Sequence, residues 1–275
     1  MELIWQDTLD DTVPPLLAAV RAEDGVPESP DDFRAGRHLI ARDNGETLGY
    51  ANVDTKGDAF GNQIVELFVH PANRRQGIGT ALVDEVLTTD SPLRLWSHRD
   101  HPAAARIAEK KRLERVRELL QMRLDNSVEL PEPTRQFRTF VPGQDEQAMV
   151  DVNKAAFAWH PEQGMLTVAD VEADEKEGWF DPAGFFLAEE NGRVVGFHWT
   201  KIHADGTGEV YVVGIHPDAQ GGGLGKALTL AGLHYLRERG VPEIILYVES
   251  DNAPAVAVYT RMGFTLAYTN VAYQR

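Results

Sequence analysis

The sequence predicts an α/β protein built from two tandem copies of one mixed-sheet domain. A short pattern occurs twice, and the elements around it recur in the same order. VELFVHPANRRQGIGTAL carries Arg74, Gly77 and Gly79; VYVVGIHPDAQGGGLGKAL carries Gln220, Gly223 and Gly225. Each reads as a strand, a His-Pro step, a loop with R/Q-x-x-G-x-G, and a helix. The two loops begin 146 positions apart (220 minus 74), about half of the 275-residue chain. Self-similarity at that period means a duplicated domain, and each half is long enough for its own core.

The elements follow in order. VPPLLAAVRAEDGV predicts a helix that Gly25 ends, and RHLIARDNGETLGYANVD a hairpin with Asn44-Gly45 at its turn. GNQIVELFV is a strand, GIGTALVDEVL the helix after the Gly loop, and PLRLWS a strand. HPAAARIAEKKRLERVRELLQMRL reads as a helix throughout, its charged run EKKRLERVRELLQMR forming a solvated face or a basic contact for phosphate. ELPEPTRQ, with Pro131 and Pro133, reads as a linker, so the domains are expected at 1–130 and 135–275. The order then restarts. DEQAMVDVNKAAFAWH is helical, and GFFLAEENGRVVGFHWTKI is a hairpin turning at Asn191-Gly192. GEVYVVGIH, GLGKALTLAGLHYLRERG, EIILYVE and NAPAVAVYTRMGF alternate strand and helix, and TLAYTNVAYQR closes the sheet.

Composition narrows the function. The net charge of −16 opposes nonspecific binding to nucleic acid or an anionic membrane. No run approaches the roughly 18 apolar residues of a membrane span, and MELIWQDTLDD lacks the order of a secretion signal. A cytoplasmic monomer is expected. With no cysteine, disulfides, thiolate metal sites and a Cys nucleophile are excluded. His160, His198, His203 and His234 have no metal-ligand spacing, so no metal is assigned. His70 and His216 both precede Pro, which argues for positioning the loop.

A loop between strand and helix sets backbone N–H groups at a helix N-terminus, where the dipole favours anions. Glycines let that backbone approach a pyrophosphate and adopt positive φ. Such a loop alone is also a common tight turn. Here the preceding strand, the His-Pro step and the downstream NAPAVAVYTRMGF accompany it. A dinucleotide fingerprint fits worse, because neither half has the full GxGxxG after the first strand of a parallel sheet.

These residues resemble the GCN5-related N-acetyltransferase (GNAT) family. Gln220, Gly223 and Gly225 match its Q/R-x-x-G-x-G/A motif; Asn252, Ala255, Tyr259, Gly263 and Phe264 match its late N-x-x-A-x-x-x-Y-x-x-x-G-F pattern. The resemblance covers nearly the whole chain and implies two tandem acyl-CoA N-acyltransferase domains using acetyl-CoA. It implies a pyrophosphate on the loop Gln220, Gly221, Gly222, Gly223, Leu224, Gly225 and Lys226, and a pantetheine arm in a splay near Val213, Gly214 and Ile215. Asn252, Ala253, Pro254, Ala255, Val256 and Ala257 are expected along that arm. In the first half the matching positions are Leu67, Phe68 and Val69, then Arg75, Gln76, Gly77, Ile78, Gly79 and Thr80.

Acetyl transfer to an amine requires loss of the ammonium proton, stabilisation of an oxyanion, and a proton for the departing thiolate. By resemblance, Glu209 is the base, directly or through water, and Tyr259 the acid. A Glu at a strand start is more often a solvated edge residue, and a Tyr on an amphipathic helix more often core packing. In register on the Gly loop, Gln63 stands where Glu209 does; with Asp100-His101 on Asp251-Asn252, Ala108 falls on Tyr259. The first half therefore keeps the loop and lacks both proton-transfer groups, so it is expected to be non-catalytic and able to retain acetyl-CoA.

The tandem arrangement, with WHPEQG, WFDPAG and LYVESDNAPAVAVY in its second half, is similar to family members that acetylate the cysteinyl amine of a small pseudodisaccharide, cysteinyl-glucosaminyl-inositol. That similarity implies Asp31, Glu162, Lys201, Glu209 and Tyr247 as substrate contacts, a surface carboxylate being the alternative for Asp31 and Glu162. Two other readings stay open: a tandem acetyltransferase acting on protein N-termini or another small amine, and a non-catalytic acyl-CoA sensor.

Overall fold

The computed structural model describes residues 1–25, 36–160 and 163–275, and the chain divides into two compact units. The first is Met1–Glu118 with Thr269–Arg275; the second is Leu119–Tyr268. These units do not follow a linear cut at 130–135.

In the first unit, β1 (Glu2–Gln6), α1 (Val13–Asp24), β2 (Arg37–Asp43), β3 (Glu46–Asp54), β4 (Gln63–Val69), α2 (Ile78–Val86), β5 (Leu93–Ser97) and α3 (Pro102–Lys111) follow in sequence. β1 to β4 pair antiparallel in succession, and β4 pairs parallel with β5. Asn44 (φ 49°) and Gly45 (φ 84°) both take positive φ at the hairpin turn, the conformation Asn-Gly supplies at low cost. Alternation along β2 and β3 buries both sheet faces. Ile40 and Tyr50 meet Val13, Leu16, Leu17 and Val20 of α1; Leu39, Ala41, Ala51 and Val53 meet Ile78, Leu82, Val83 and Val86 of α2.

The helix expected over residues 101–124 ends at Lys111. Arg112 takes a left-handed conformation (φ 58°) as its C-cap, and β6 runs Glu114–Asp125. The charged stretch from Glu114 is therefore strand, not a helix face. β1 carries no turn or periodicity signal and was not expected.

The second unit repeats the plan. β7 (Arg138–Thr139), α4 (Glu146–Ala156), α5 (Val168–Asp174), β8 (Phe185–Glu190), β9 (Arg193–Ile202), β10 (Gly208–Ile215), α6 (Leu224–Glu238), β11 (Glu243–Glu249), α7 (Ala253–Arg261) and β12 (Thr265–Gln274) succeed one another. β7 to β10 are antiparallel neighbours, and β10 runs parallel to β11. Leu230, Leu233 and Leu236 of α6 bury one face against Val210, Ile244, Leu246 and Val248, each leucine contributing about 2 kcal/mol. Phe185, Phe197 and Trp199 pack with Met149, Val150 and Val152 of α4 on the other.

The closing strands are exchanged between the halves of the sequence. Val271–Gln274 of β12 pairs antiparallel with Ser97–Arg94 and closes the first unit. Leu119–Asp125 of β6 pairs antiparallel with Glu249–Glu243 and closes the second. No helix of the described residues is long and apolar enough to cross a membrane.

Candidate active site

In the second unit the parallel ladder between β10 and β11 has three rungs, Gly208–Ile244, Glu209–Ile245 and Val210–Leu246. β10 continues to Ile215 and β11 to Glu249, so the strands splay beyond Val210. A register shift between Val210 and Val212 accompanies the departure. His216 N–H donates to Val195 O at 2.8 Å, so by strand alternation Gly214 faces β9, while Val213 and Ile215 turn their backbone groups to the open side. A Cβ on Gly214 would lie 2.5 Å from the Phe197 ring, which requires glycine there.

The strand end is fastened from the loop: Gln220 Nε2 donates to Ile215 O at 3.1 Å. His216 Nδ1 accepts from Asp218 N–H and caps the following 3-10 turn. Gly223, in a left-handed conformation (φ 76°), is the N-cap of α6 and offers no side chain to its first amides. Lys226 stands exposed in that first turn, where a cation opposes the helix dipole unless an anion joins it.

Direct strand partners share a face, which places Lys201, Glu209 and Ile245 together; alternation adds Tyr247 and Glu249. Glu209 is 7 % exposed, and a His203 ring N–H donates to its Oε2 at 2.6 Å. Lys201 Nζ lies 4.3 Å from the Trp179 ring centre and 5.0 Å from that of Tyr211. Burial, with Asp174 and Glu209 nearby, pushes the Tyr211 phenol up. Tyr247 is half-exposed, and its hydroxyl accepts from Gln121 Nε2 at 2.8 Å. Glu249 is buried, with His160 Nε2 3.6 Å from its carboxylate. The sequence reading missed His160, His203 and Glu249 as members of this face. A carboxylate closing the apolar strand EIILYVE was the available signal for Glu249. Asp31 and Glu162 lie outside the described residues.

Tyr259 belongs to the opposite face. It packs on the core of Val210, Leu246 and Val248, with its ring edge-on to Phe264 at 5.8 Å. Desolvation pushes its phenol up to about 12. Asn252 Oδ1 caps α7 by accepting from Ala255 N–H, and Ala253 through Ala257 form the first turns of that helix. Glu209 and Tyr259 thus come from opposite faces of the splayed pair.

The first unit builds the same loop. Arg74 Nε donates to Val69 O at 3.3 Å, His70 Nδ1 accepts from Ala72 N–H, and Gly77 (φ 85°) is the N-cap of α2. The two terminal guanidinium nitrogens of Arg74 donate to the Asp24 carboxylate. A cavity of about 760 Å³ opens here, between Leu67, Phe68 and Val69, the loop from Arg75 to Thr80, and α3.

Residues 151–264 match the acetyltransferase (GNAT) family model, and residues 34–110 a second acetyltransferase (GNAT) domain model. The chain is 53 % identical to the mycothiol acetyltransferase of Amycolatopsis mediterranei over 98 % of both chains, and 52 % identical to that of Saccharomonospora viridis over 98 % and 97 %. The chain belongs to the GNAT acetyltransferases, among the mycothiol acetyltransferases. Solved GNAT structures share its fold. A GCN5-related N-acetyltransferase from Sphaerobacter thermophilus superposes with a TM-score of 0.76, at 24 % identity over 99 % of this chain and 95 % of that one. A tandem GNAT protein from the clavulanic acid biosynthesis pathway gives 0.66, at 18 % identity over 99 % and 98 %.

Proposed function

We propose that this protein is an acetyl-CoA-dependent N-acetyltransferase of mycothiol synthesis, which acetylates the cysteinyl amine of cysteinyl-glucosaminyl-inositol in the cytoplasm. The observation that carries the reading is identity above 50 % with mycothiol acetyltransferases along nearly the whole chain.

Acetyl-CoA supplies the acetyl group as a thioester. The chemistry belongs to the second unit. Gly221 through Lys226 and the first amides of α6 hold the pyrophosphate, with Val213 to Ile215 and Asn252 to Ala257 along the pantetheine arm. Glu209 takes the ammonium proton of the acceptor, since only the neutral amine attacks. His203, half-exposed, donates to Glu209 and so fixes the position of the carboxylate that takes the proton. Val213 N–H, turned to the open side, donates to the carbonyl oxygen as charge develops there. The carbon–nitrogen bond forms as the carbon–sulfur bond breaks; Tyr259 gives its phenolic proton to the leaving sulfur, and the proton that the acylated nitrogen sheds restores the phenol through solvent. A phenol raised to about 12 is fully protonated at neutral pH and so is always able to donate. Lys201, Tyr247 and the carboxylates of the Glu209 face bond the hydroxyls of the acceptor. The first unit, with Gln63 and Ala108 at the two proton-transfer positions, holds coenzyme A and does no chemistry.

The acceptor is tested by kcat/KM for cysteinyl-glucosaminyl-inositol, free cysteine and a peptide N-terminus. A site built to bond sugar and inositol hydroxyls leaves polar groups unpaired when they are missing, so the first acceptor is expected to lead by several orders of magnitude. A preference for the peptide overturns this acceptor and leaves acetyl transfer in place.

A further inference from the structure

The first-unit cavity has two chemically distinct ends. Arg75, Arg106 and Lys110 stand exposed at its outer end beside the uncapped N-terminus of α2, a cationic rim in a chain of net charge −16. Its inner end reaches core side chains: Val65, Leu95, Ala108, Leu113 and Tyr273 line it, each less than a tenth exposed.

The helix caps set the inner end in register with the second unit. His101 caps α3 as Asn252 caps α7, so Ala108 and Tyr259 each lie seven residues beyond their cap. Arg112 (φ 58°) then matches Gly263 (φ 96°), and Leu113 matches Phe264. Where the second unit sets a phenol edge-on to a phenyl ring, the first has a methyl group and an isobutyl group. Ala108 and Leu113 both line the cavity, so the place two rings fill in one unit adjoins it in the other, and its walls there are mostly apolar, with the Tyr273 ring among them.

We propose that the first unit binds a coenzyme A thioester with a saturated acyl chain of medium length, longer than acetyl, whose tail enters the space beside Ala108 and Leu113. This rests on the reading that the first unit holds coenzyme A. The phosphates meet the cationic rim and the α2 amides, and the chain lies against Val65, Leu95, Leu113 and Tyr273. No transfer follows, since Gln63 cannot take a proton from an amine; the thioester is a resident ligand or a signal of acyl supply. Each methylene moved from water into such a lining tightens binding about fourfold.

The test uses the full chain carrying Gly223→Trp, which blocks the second-unit loop so that calorimetry reports the first. Coenzyme A, acetyl-CoA, butyryl-CoA, hexanoyl-CoA and octanoyl-CoA are titrated, with Gly77→Trp added as a control that removes all binding. Affinity is expected to rise at least tenfold from acetyl to hexanoyl, and Ala108→Tyr to flatten the series while leaving coenzyme A binding intact. Should Ala108→Tyr fold poorly by circular dichroism, Leu113→Phe narrows the same space. Equal affinity across the series in the Gly223→Trp chain overturns the acyl-chain proposal and leaves coenzyme A binding standing. No binding by any of the five overturns both.

Discussion

The two Gly loops are built alike down to single hydrogen bonds, whereas the strands and helices behind them diverge. In both, the first motif residue reaches back to the last carbonyl of the preceding strand: Arg74 to Val69 and Gln220 to Ile215. In both, a His caps the 3-10 turn and a left-handed Gly starts the helix. Behind the loop the units part. The parallel ladder runs to Glu66–Trp96 in the first, two residues further than its counterpart at Val210–Leu246. On the proposed function the anion cradle is made of backbone, so it would survive any substitution that keeps the turn. Proton transfer on that reading is made of side chains, so two replacements would remove it and leave the cradle standing.

The largest test of that asymmetry is steric. Gly223→Trp should reduce turnover to background, because a bulky residue at positive φ both strains the turn and covers the loop amides. Gly77→Trp should cost less than about tenfold if chemistry resides in one unit. Equal loss from two folded variants breaks the comparison. Next comes Glu209→Gln, expected to lower kcat by about 10²–10⁴-fold with little effect on acetyl-CoA affinity. Its mirror, Gln63→Glu, should neither add nor remove activity; a gain would mean the first unit needs only a base. Tyr259→Phe should lower kcat by about 10–10²-fold, toward the weak end of acid catalysis, because a phenol raised to about 12 is a poor acid. No alkaline limb from this group is expected below about pH 10, so the variant's pH profile should match the wild type's in shape.

The smallest effect concerns stability. His198, fully buried with Nδ1 toward Leu228 O, has its imidazole lowered to about 4 by desolvation, and burial lowers His38 of the first unit as well. An unfolded histidine titrates near 6.5, so below that pH the unfolded chain binds a proton that the folded chain refuses. The second unit should keep its stability above pH 6.5 and lose about 3 kcal/mol of it by pH 4. Denaturant titrations across that range check the slope. In His198→Leu most of it should vanish; an unchanged slope assigns it to other groups.

Much of this architecture was legible because it rests on local chemistry. Asn44-Gly45 and Asn191-Gly192 announce turns that need two positive φ angles, and the Gly loops announce themselves by spacing. What failed depends on partners distant in sequence. Glu114–Asp125 has charges spaced as on a helix, yet it is held as strand by its ladder to Glu243–Glu249. Arg112 ends α3 in a conformation usually marked by Gly, so no break was visible. In the candidate site, Lys201, Glu209 and Tyr247 share a face by register. The pairing of His160 with Glu249 joins residues 89 positions apart (249 minus 160), and nothing local signals it.

The exchange of closing strands has a consequence for synthesis. A chain emerging from the ribosome N-terminus first completes Leu119–Tyr268 before Thr269–Arg275 exists. The half made first must therefore wait with Leu93–Ser97 lacking its last neighbour until Thr269–Arg275 emerges, and Gln274 then pairs with Arg94 across 180 positions (274 minus 94). An unpaired strand with buried residues such as Leu93 and Leu95 is an aggregation hazard during that interval. Deleting Thr269–Arg275 would leave the N-terminal unit without the strand that closes it.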